Sequence, residues 1–323
     1  MQADDARMRL GMLYAIGAHI MWGLFPLYWK LVGNISSVSL VSHRIVWAFV
    51  FLAIGVPILI ARGKEVPYNE FVDVIQSPRV WLSYGIAAVM LAINWLAFIW
   101  AVTNGQVLQA SLGYYINPLL SILLGVIILG ERLQTIQWIA VGVAGVGVSI
   151  MTIHGGGLPW ASIAMAVSFS IYGLIKKRSP LPSLSGLMLE CSVLLLPAVF
   201  WLTCTRPEAG EVNIPVGLFQ WSLMIGGGVI TILPLALFAA ATKRIPLSTA
   251  GVLQYVGPTL QFLVGAVMFG ESFTGGRIAG FACVWLGSAM YLLAIARSAR
   301  LAPKSPRQDL LDGSQQTAEQ GHG

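Results

Sequence analysis

Apolar residues run along this chain in blocks of about 20, separated by short polar connections that carry most of the charge. A helix rises 1.5 Å per residue, so one such block crosses a hydrocarbon core of about 30 Å. A spanning-length window predicts ten helices, over 10–31, 38–61, 80–102, 106–129, 135–153, 158–175, 184–204, 218–241, 247–269 and 278–296. The sixth is the most polar and is rich in Ser. The first runs at full spanning length to Trp29 without a small-residue cleavage site, so it is expected to remain as a helix rather than leave as a signal peptide. Residues 301–323 are Ser, Gln, Gly and charge, with too little apolar surface to fold, and are expected to form a disordered tail.

Composition agrees. Hydrophobic residues make up 57% of the 323 and charged ones 10%, against roughly 25% charged in an average soluble domain. A soluble fold, a disulfide scaffold and a disordered chain are excluded on that arithmetic. The formal charge of +6 is read as basic residues held on the cytoplasmic side, not as a nucleic-acid surface. Cys191, Cys204 and Cys283 all fall in apolar segments, where thiols act as small hydrophobes. With ten helices both ends lie on one side. Placing that side in the cytoplasm gives it 15 of the 19 Lys and Arg residues, leaving Lys30, Arg44, Arg206 and Arg277 outside. An N-in, C-in bacterial inner-membrane protein is therefore expected.

The chain also repeats itself. At an offset of 140, the 22 residues from Ala110 lie over those from Ala250 with 8 identities, including a Tyr-x-x-Pro and a terminal Gly-Glu. Phe98 then lies over Phe238, and at about 150 Trp22-Gly23 lies over Tyr172-Gly173. Two five-helix halves follow, 1–153 and 154–300. Five is odd, so the second enters the membrane inverted. Secondary transporters recurrently use this plan, with a midplane site between the halves.

The stretches MWGLFPLYWKL from Met21, SHRIVW from Ser42, NWLAFIWAV from Asn94, GQVLQASLGYYINPLLSILLGVIILGERL from Gly105 and TKRIPLSTAGVLQYVGPTLQFLVGAVMFGE from Thr242 resemble the RarD group of the EamA family, within the drug/metabolite transporter superfamily. The resemblance covers nearly the whole chain apart from its first few residues and the tail. It implies an all-α, ten-helix inner-membrane permease, and its family label suggests chloramphenicol resistance.

Charge at membrane depth costs roughly 2.5–3.5 kcal/mol on insertion scales, so the few charged residues there are informative. Arg44, about six residues into the second helix, reads as a buried structural group or as a guanidinium clamp for an anionic or zwitterionic substrate. Lys30 snorkels or assists it. His43 is able to titrate, and His19 reads as a packing residue. Glu190, about six residues into the seventh helix, is either the partner of a buried cation or a coupling proton carrier. Glu131 and Glu271, each after Gly at a helix end, read as structural. Pro118 and Pro258 interrupt equivalent helices. The stripes they centre are Ser111, Tyr114, Pro118, Ser121 and Gly125, and Gly251, Gln254, Pro258, Gln261 and Gly265. Cavity lining accounts for Gln254 and Gln261 better than close helix packing does. Asn94, Trp22, Tyr115 and Tyr255 join them as candidate substrate contacts.

The leading reading is a secondary transporter, an exporter of a small metabolite or drug, driven by protons. Its partners are a small-molecule substrate, the lipid bilayer and protons, with a homo-oligomer left open. A membrane scaffold or sensor would not need polar groups at matched depth in both repeats. An intramembrane enzyme would need paired carboxylates, a metal cluster or a nucleophile dyad. The Gly-rich runs at Gly155 and Gly226 lack the Lys-Ser/Thr of a phosphate loop, so no nucleotide, cofactor or metal is expected.

Overall fold

A computed structural model describes residues 2–33, 35–103, 107–154, 160–206, 210–269 and 275–301. Residues 155–159, Glu271 and the predicted tail from residue 302 lie outside the described part, as do the side chains of Lys30, Ser111, Gly265 and Arg277. The described chain is helical, with no strand beyond one isolated bridge between Ile35 and Val212. In order the helices are α1 (Gln2–Lys30), α2 (Ser37–Ala61), α3 (Tyr68–Gln76), α4 (Pro78–Thr103), α5 (Val107–Leu129) and α6 (Thr135–His154). They continue with α7 (Trp160–Arg178), α8 (Ser183–Cys204), α9 (Gly217–Thr242), α10 (Leu247–Leu253), α11 (Val256–Phe269) and α12 (Gly275–Leu301). Among the described residues, eight are long and apolar enough to cross a membrane.

Three parts of the chain differ from the predicted pattern: a short α3 is added, and the predicted sixth and ninth segments, unlike the other eight, are not among those spans. The short α3, ahead of α4, lies in a connection with no predicted element. The Ser-rich α7 offsets its polar content internally: Ser170 and Ser168 are buried and donate to the carbonyls of Ala166 at 2.7 Å and Met165 at 3.2 Å. The predicted ninth segment is two helices. Its break falls at Gln254 and Tyr255, one turn before Pro258 rather than at it. The ring of Pro258 excludes the α-helical bond back to Gln254, and the Gln254 carbonyl is met instead by the amide of Gly257 at 3.1 Å. Pro118, by contrast, does not break its helix. It sits inside a continuous α5, since a single proline removes one bond and leaves the turns on either side intact.

Close crossings set the packing. α6 and α12 meet where a Cβ on Gly147 would stand 2.6 Å from the Gly280 carbonyl, and one on Gly287 2.6 Å from that of Ala140. α9 meets α2 at Gly228, whose added Cβ would lie 2.7 Å from the backbone of Trp47. Small residues at crossings let backbones approach where no water drives association. Elsewhere α1 packs on α9 and α11, α7 on α4 and α5, α2 on α8, and α10 on α5. Large apolar side chains such as Leu218, Leu196 and Ile127 point outward, as a lipid-facing surface requires.

At the end where α1 begins, cations meet carbonyls in the last turns of helices and in the connections just beyond them. Lys177 donates to the Thr242 and Ile245 carbonyls at 3.1 and 2.7 Å, Arg178 to Ile128 at 2.9 Å, and Lys243 to Leu181. Terminal carbonyls without helix partners carry partial negative charge that such groups offset. Glu131 does the converse. It accepts from the amides of Leu247 and Ser248 at 2.5 and 2.9 Å, capping α10 across the bundle.

Candidate substrate cavity

A cavity of about 370 Å³ lies among α1, α2, α4, α5 and the α10–α11 junction, with Phe169 of α7 and Leu235 of α9 completing its wall. It extends from His19 and Leu91 toward Trp29, near the end of α1, and Ser37, the first residue of α2. Five of its residues come from one face of α1, where His19, Trp22, Phe25, Pro26 and Trp29 recur at spacings of three and four.

Among the described residues Arg44 is the sole Lys or Arg in that lining, and it is buried. Its Nε donates to the Thr231 hydroxyl at 2.9 Å, and Thr231 in turn donates to the Gly227 carbonyl at 2.8 Å. The guanidinium carbon lies 4.8 Å from the Trp95 ring, 5.0 Å from Trp29 and 5.7 Å from Phe25. Among the described residues no carboxylate lies within ion-pair distance of it. The cation is thus fixed by one hydrogen bond and three aromatic faces.

The amides around it are partly committed. Asn94 donates to the Met165 carbonyl at 2.9 Å, tying α4 to α7. Pro26 leaves the Trp22 carbonyl without its helical donor, and Gln261 supplies one from α11 at 3.1 Å. Gln254 reaches Ser121 at 3.4 Å. Asn117, which sequence reading passed over, lines the cavity and accepts from Ser121 at 3.2 Å and Ser170 at 3.3 Å.

Below the cavity sits an aromatic floor. Trp22 packs edge-on against Phe169 at 5.5 Å, both rings touch Phe238, and Phe238 stacks on Tyr172 at 6.3 Å. The Tyr172 hydroxyl donates to Glu190 at 3.1 Å, and Lys176 holds the other carboxylate oxygen at 2.5 Å. Lys176 also lies 5.4 Å from the Tyr84 ring, and the Tyr84 hydroxyl accepts from the Leu181 amide at 3.2 Å. One continuous set of contacts therefore joins the cavity to a buried ion pair.

The predicted residues divide on this geometry. Arg44, Trp22, Asn94, Tyr114, Gln254, Gln261 and Pro258 line the cavity together, and His19 does too. Tyr115 and Tyr255, equivalent in the repeat, instead meet each other in a separate core, the Tyr255 hydroxyl donating to the Tyr115 carbonyl at 3.4 Å. His43 turns away and bonds the Asn213 carbonyl at 3.0 Å. Glu190 has its cation in Lys176, one of the basic residues counted to the cytoplasmic side, which is buried. That Lys opens a Lys-Lys-Arg run at the end of α7, where only the facing Glu190 distinguishes it from its neighbours.

A bundle of apolar helices around a buried aromatic and polar cavity is the build of a membrane transporter. Residues 9–153 match the EamA-like transporter family. The RarD protein of Streptomyces exfoliatus is 38% identical over 93% of this chain and 93% of its own. The RarD protein of Escherichia coli K12 is 35% identical over 90% and 96% respectively. A crystal structure aligns with 88% of this chain and 98% of its own at a TM-score of 0.67 and 22% identity, a likeness of fold. The chain belongs to the EamA-like transporter family, in its RarD group, a family of transporters and not of enzymes.

Proposed function

We propose that this protein is a secondary transporter of the bacterial inner membrane, with ten spans in two inverted five-helix halves and both termini in the cytoplasm. Its cavity lies in the outer half of the membrane and takes a small organic solute for export. The observation that carries this reading is the cavity itself, walled by repeat-related helices and closed toward the basic end by the Trp22–Phe169–Phe238 floor above Lys176–Glu190.

The packing supports the inverted repeat. α1 lies against α9 and α11 as α7 lies against α4 and α5. The contact of Gly147 with Gly280 becomes that of Gly287 with Ala140 when each residue is moved by the repeat offset of 140. Exchange of this kind supplies two near-equivalent arrangements, one open to each side, so rocking of the halves alternates access. Opening the inner side requires the aromatic floor to part and the ion pair to be remade or released. Glu190 is the group through which a proton gradient drives that step. His43, tied to Asn213 at the other end, is less suited to it.

The test is reconstitution. Purified protein in liposomes should carry out saturable uptake or counterflow of a solute drawn from a panel of organic anions, amino acids and drugs, chloramphenicol included. A pH gradient should accelerate it. Absence of flux for every solute in a correctly folded, oriented preparation overturns the reading.

A further inference from the structure

The chemistry of the cavity narrows its ligand. A guanidinium held in a low-dielectric interior without a carboxylate partner retains most of its desolvation cost. Arg44 uses Nε on Thr231, and among the described residues no hydrogen bond leaves either of its terminal nitrogens. Those two nitrogens form a planar fork that matches a carboxylate, giving two parallel charge-assisted bonds. Phe25, Trp29 and Trp95 hold the fork in place, so little ordering remains for a ligand to bring about.

The rest of the lining decides what the carboxylate is attached to. Among the described residues it contains no Asp or Glu, so an ammonium group would be desolvated beside a fixed cation with no anion to receive it. One guanidinium also leaves a phosphate dianion half neutralised. The other walls include Trp22, Phe98, Phe169, Leu40 and Leu91, which favour an apolar or aromatic body, while the amides of Asn94, Asn117, Gln254 and Gln261 in the same lining are engaged in hydrogen bonds within the protein.

We propose that the cavity binds a monocarboxylate with an aromatic or apolar body and no ammonium group, its carboxylate on the Arg44 fork. This deepens the transport reading, resting on it only in taking the cavity for the solute site. The experiment is calorimetric titration of the full chain in lipid nanodiscs with 3-phenylpropionate, phenylalanine, 2-phenylethylamine and phenyl phosphate. These share a ring and differ in charge. 3-Phenylpropionate should bind tightest, by about tenfold or more over each of the others. Equal binding of the four, or a preference for phenylalanine, the amine or the phosphate, overturns the proposal.

Arg44→Lys keeps the charge without the fork and should lose about tenfold in affinity for 3-phenylpropionate. Ser37→Asp keeps the test alive should Arg44 variants fail to fold, because an acidic side chain suits the first turn of α2. It should weaken 3-phenylpropionate and strengthen 2-phenylethylamine, and unchanged affinities for both would count against the site. Flux in liposomes separates the two readings. Tight 3-phenylpropionate binding without flux removes the transport reading and leaves the site. Flux of another solute without that binding overturns the site and leaves transport.

Discussion

Nζ of Lys176 stands 2.5 Å from Oε1 of Glu190, and the two side chains keep only 2% and 1% of their exposure. The pair joins α7 to α8 beneath the aromatic floor, with Tyr172 on the second carboxylate oxygen. Such a pair is held at the expense of its hydration, so deleting one partner leaves a bare buried ion and costs about 3–5 kcal/mol, whereas replacing both with apolar groups is often near neutral. Lys176→Met and Glu190→Met should each lower the thermal midpoint of the purified protein well below wild type. The double variant Lys176→Met with Glu190→Met should lie closer to wild type than either single. A thermal double-mutant cycle measures this, and additive losses would show the charges to be uncoupled.

Transport separates a latch from a proton carrier at the same residue. As a carrier, Glu190 predicts that Glu190→Gln loses solute flux driven by a pH gradient yet retains exchange of labelled solute at equal concentrations. Both rates are measured in liposomes at matched amounts of folded protein. Equal loss of the two, or of neither, removes the carrier role and leaves Glu190 as a structural partner of Lys176.

Much of this was legible in the chain because membrane physics writes itself into composition. Apolar blocks of spanning length marked the eight candidate spans, and Tyr115-x-x-Pro118 over Tyr255-x-x-Pro258 is the likeness on which the proposed repeat rests. Arg44, Asn94, Gln254 and Gln261 stood out as polar groups at a depth where polarity is costly. Lys176 did not, because a charge run at a helix end normally faces water, and only the three-dimensional turn from α7 to α8 carries it under Glu190. The box of Phe25, Trp29 and Trp95 was hidden for the opposite reason: aromatic residues in an apolar helix carry no mark of which face they serve. Tyr115 was drawn to the cavity by its neighbour in sequence, yet a neighbour in a helix points about 100° away, and Tyr255 falls in the break between α10 and α11.

The α6–α12 crossing should be intolerant of side chains. A Cβ on Gly280 would meet the Gly147 carbonyl at 2.8 Å and the Met151 side chain at 2.5 Å. The methionine is able to shift, but the carbonyl belongs to a helix. Gly280→Val should therefore push the helices apart and reduce the yield of monodisperse protein sharply. Gly142→Val, on the same pair of helices where an added Cβ meets nothing within 4 Å, should leave the yield unchanged. Size-exclusion profiles of the two variants check the contrast.

Lys243, just beyond α9, titrates unusually. Burial brings its ammonium down from 10.5 to about 8, with Lys176 and Arg244 adding to the effect and Glu65 opposing it. The folded protein thus binds this proton less tightly than the unfolded chain does. Between about pH 8 and 10.5 the unfolded state carries more protons, so stability from this group rises with pH there and is lost as pH falls through 8. Lys243→Gln should flatten that rise in the thermal midpoint. A slope unchanged from wild type would show that Lys243 is not its source.

The proposed sidedness is open to direct chemical test. Ser37 begins α2 and lines the cavity, whereas Lys64 is exposed beyond the opposite end of α2. Cys204 is exposed and would itself react, so Cys191, Cys204 and Cys283 are first replaced by Ala. In that background a membrane-impermeant maleimide added to spheroplasts should label Ser37→Cys and spare Lys64→Cys, which should react only after permeabilisation. A bound solute should slow labelling of Ser37→Cys, because the cavity is the path by which the reagent arrives. Labelling of Lys64→Cys from outside would invert the topology and with it the direction of export. A Ser37→Cys that reacts from neither side would mean that the cavity is occluded in the resting state, and that the outer side, too, must open before a solute can leave.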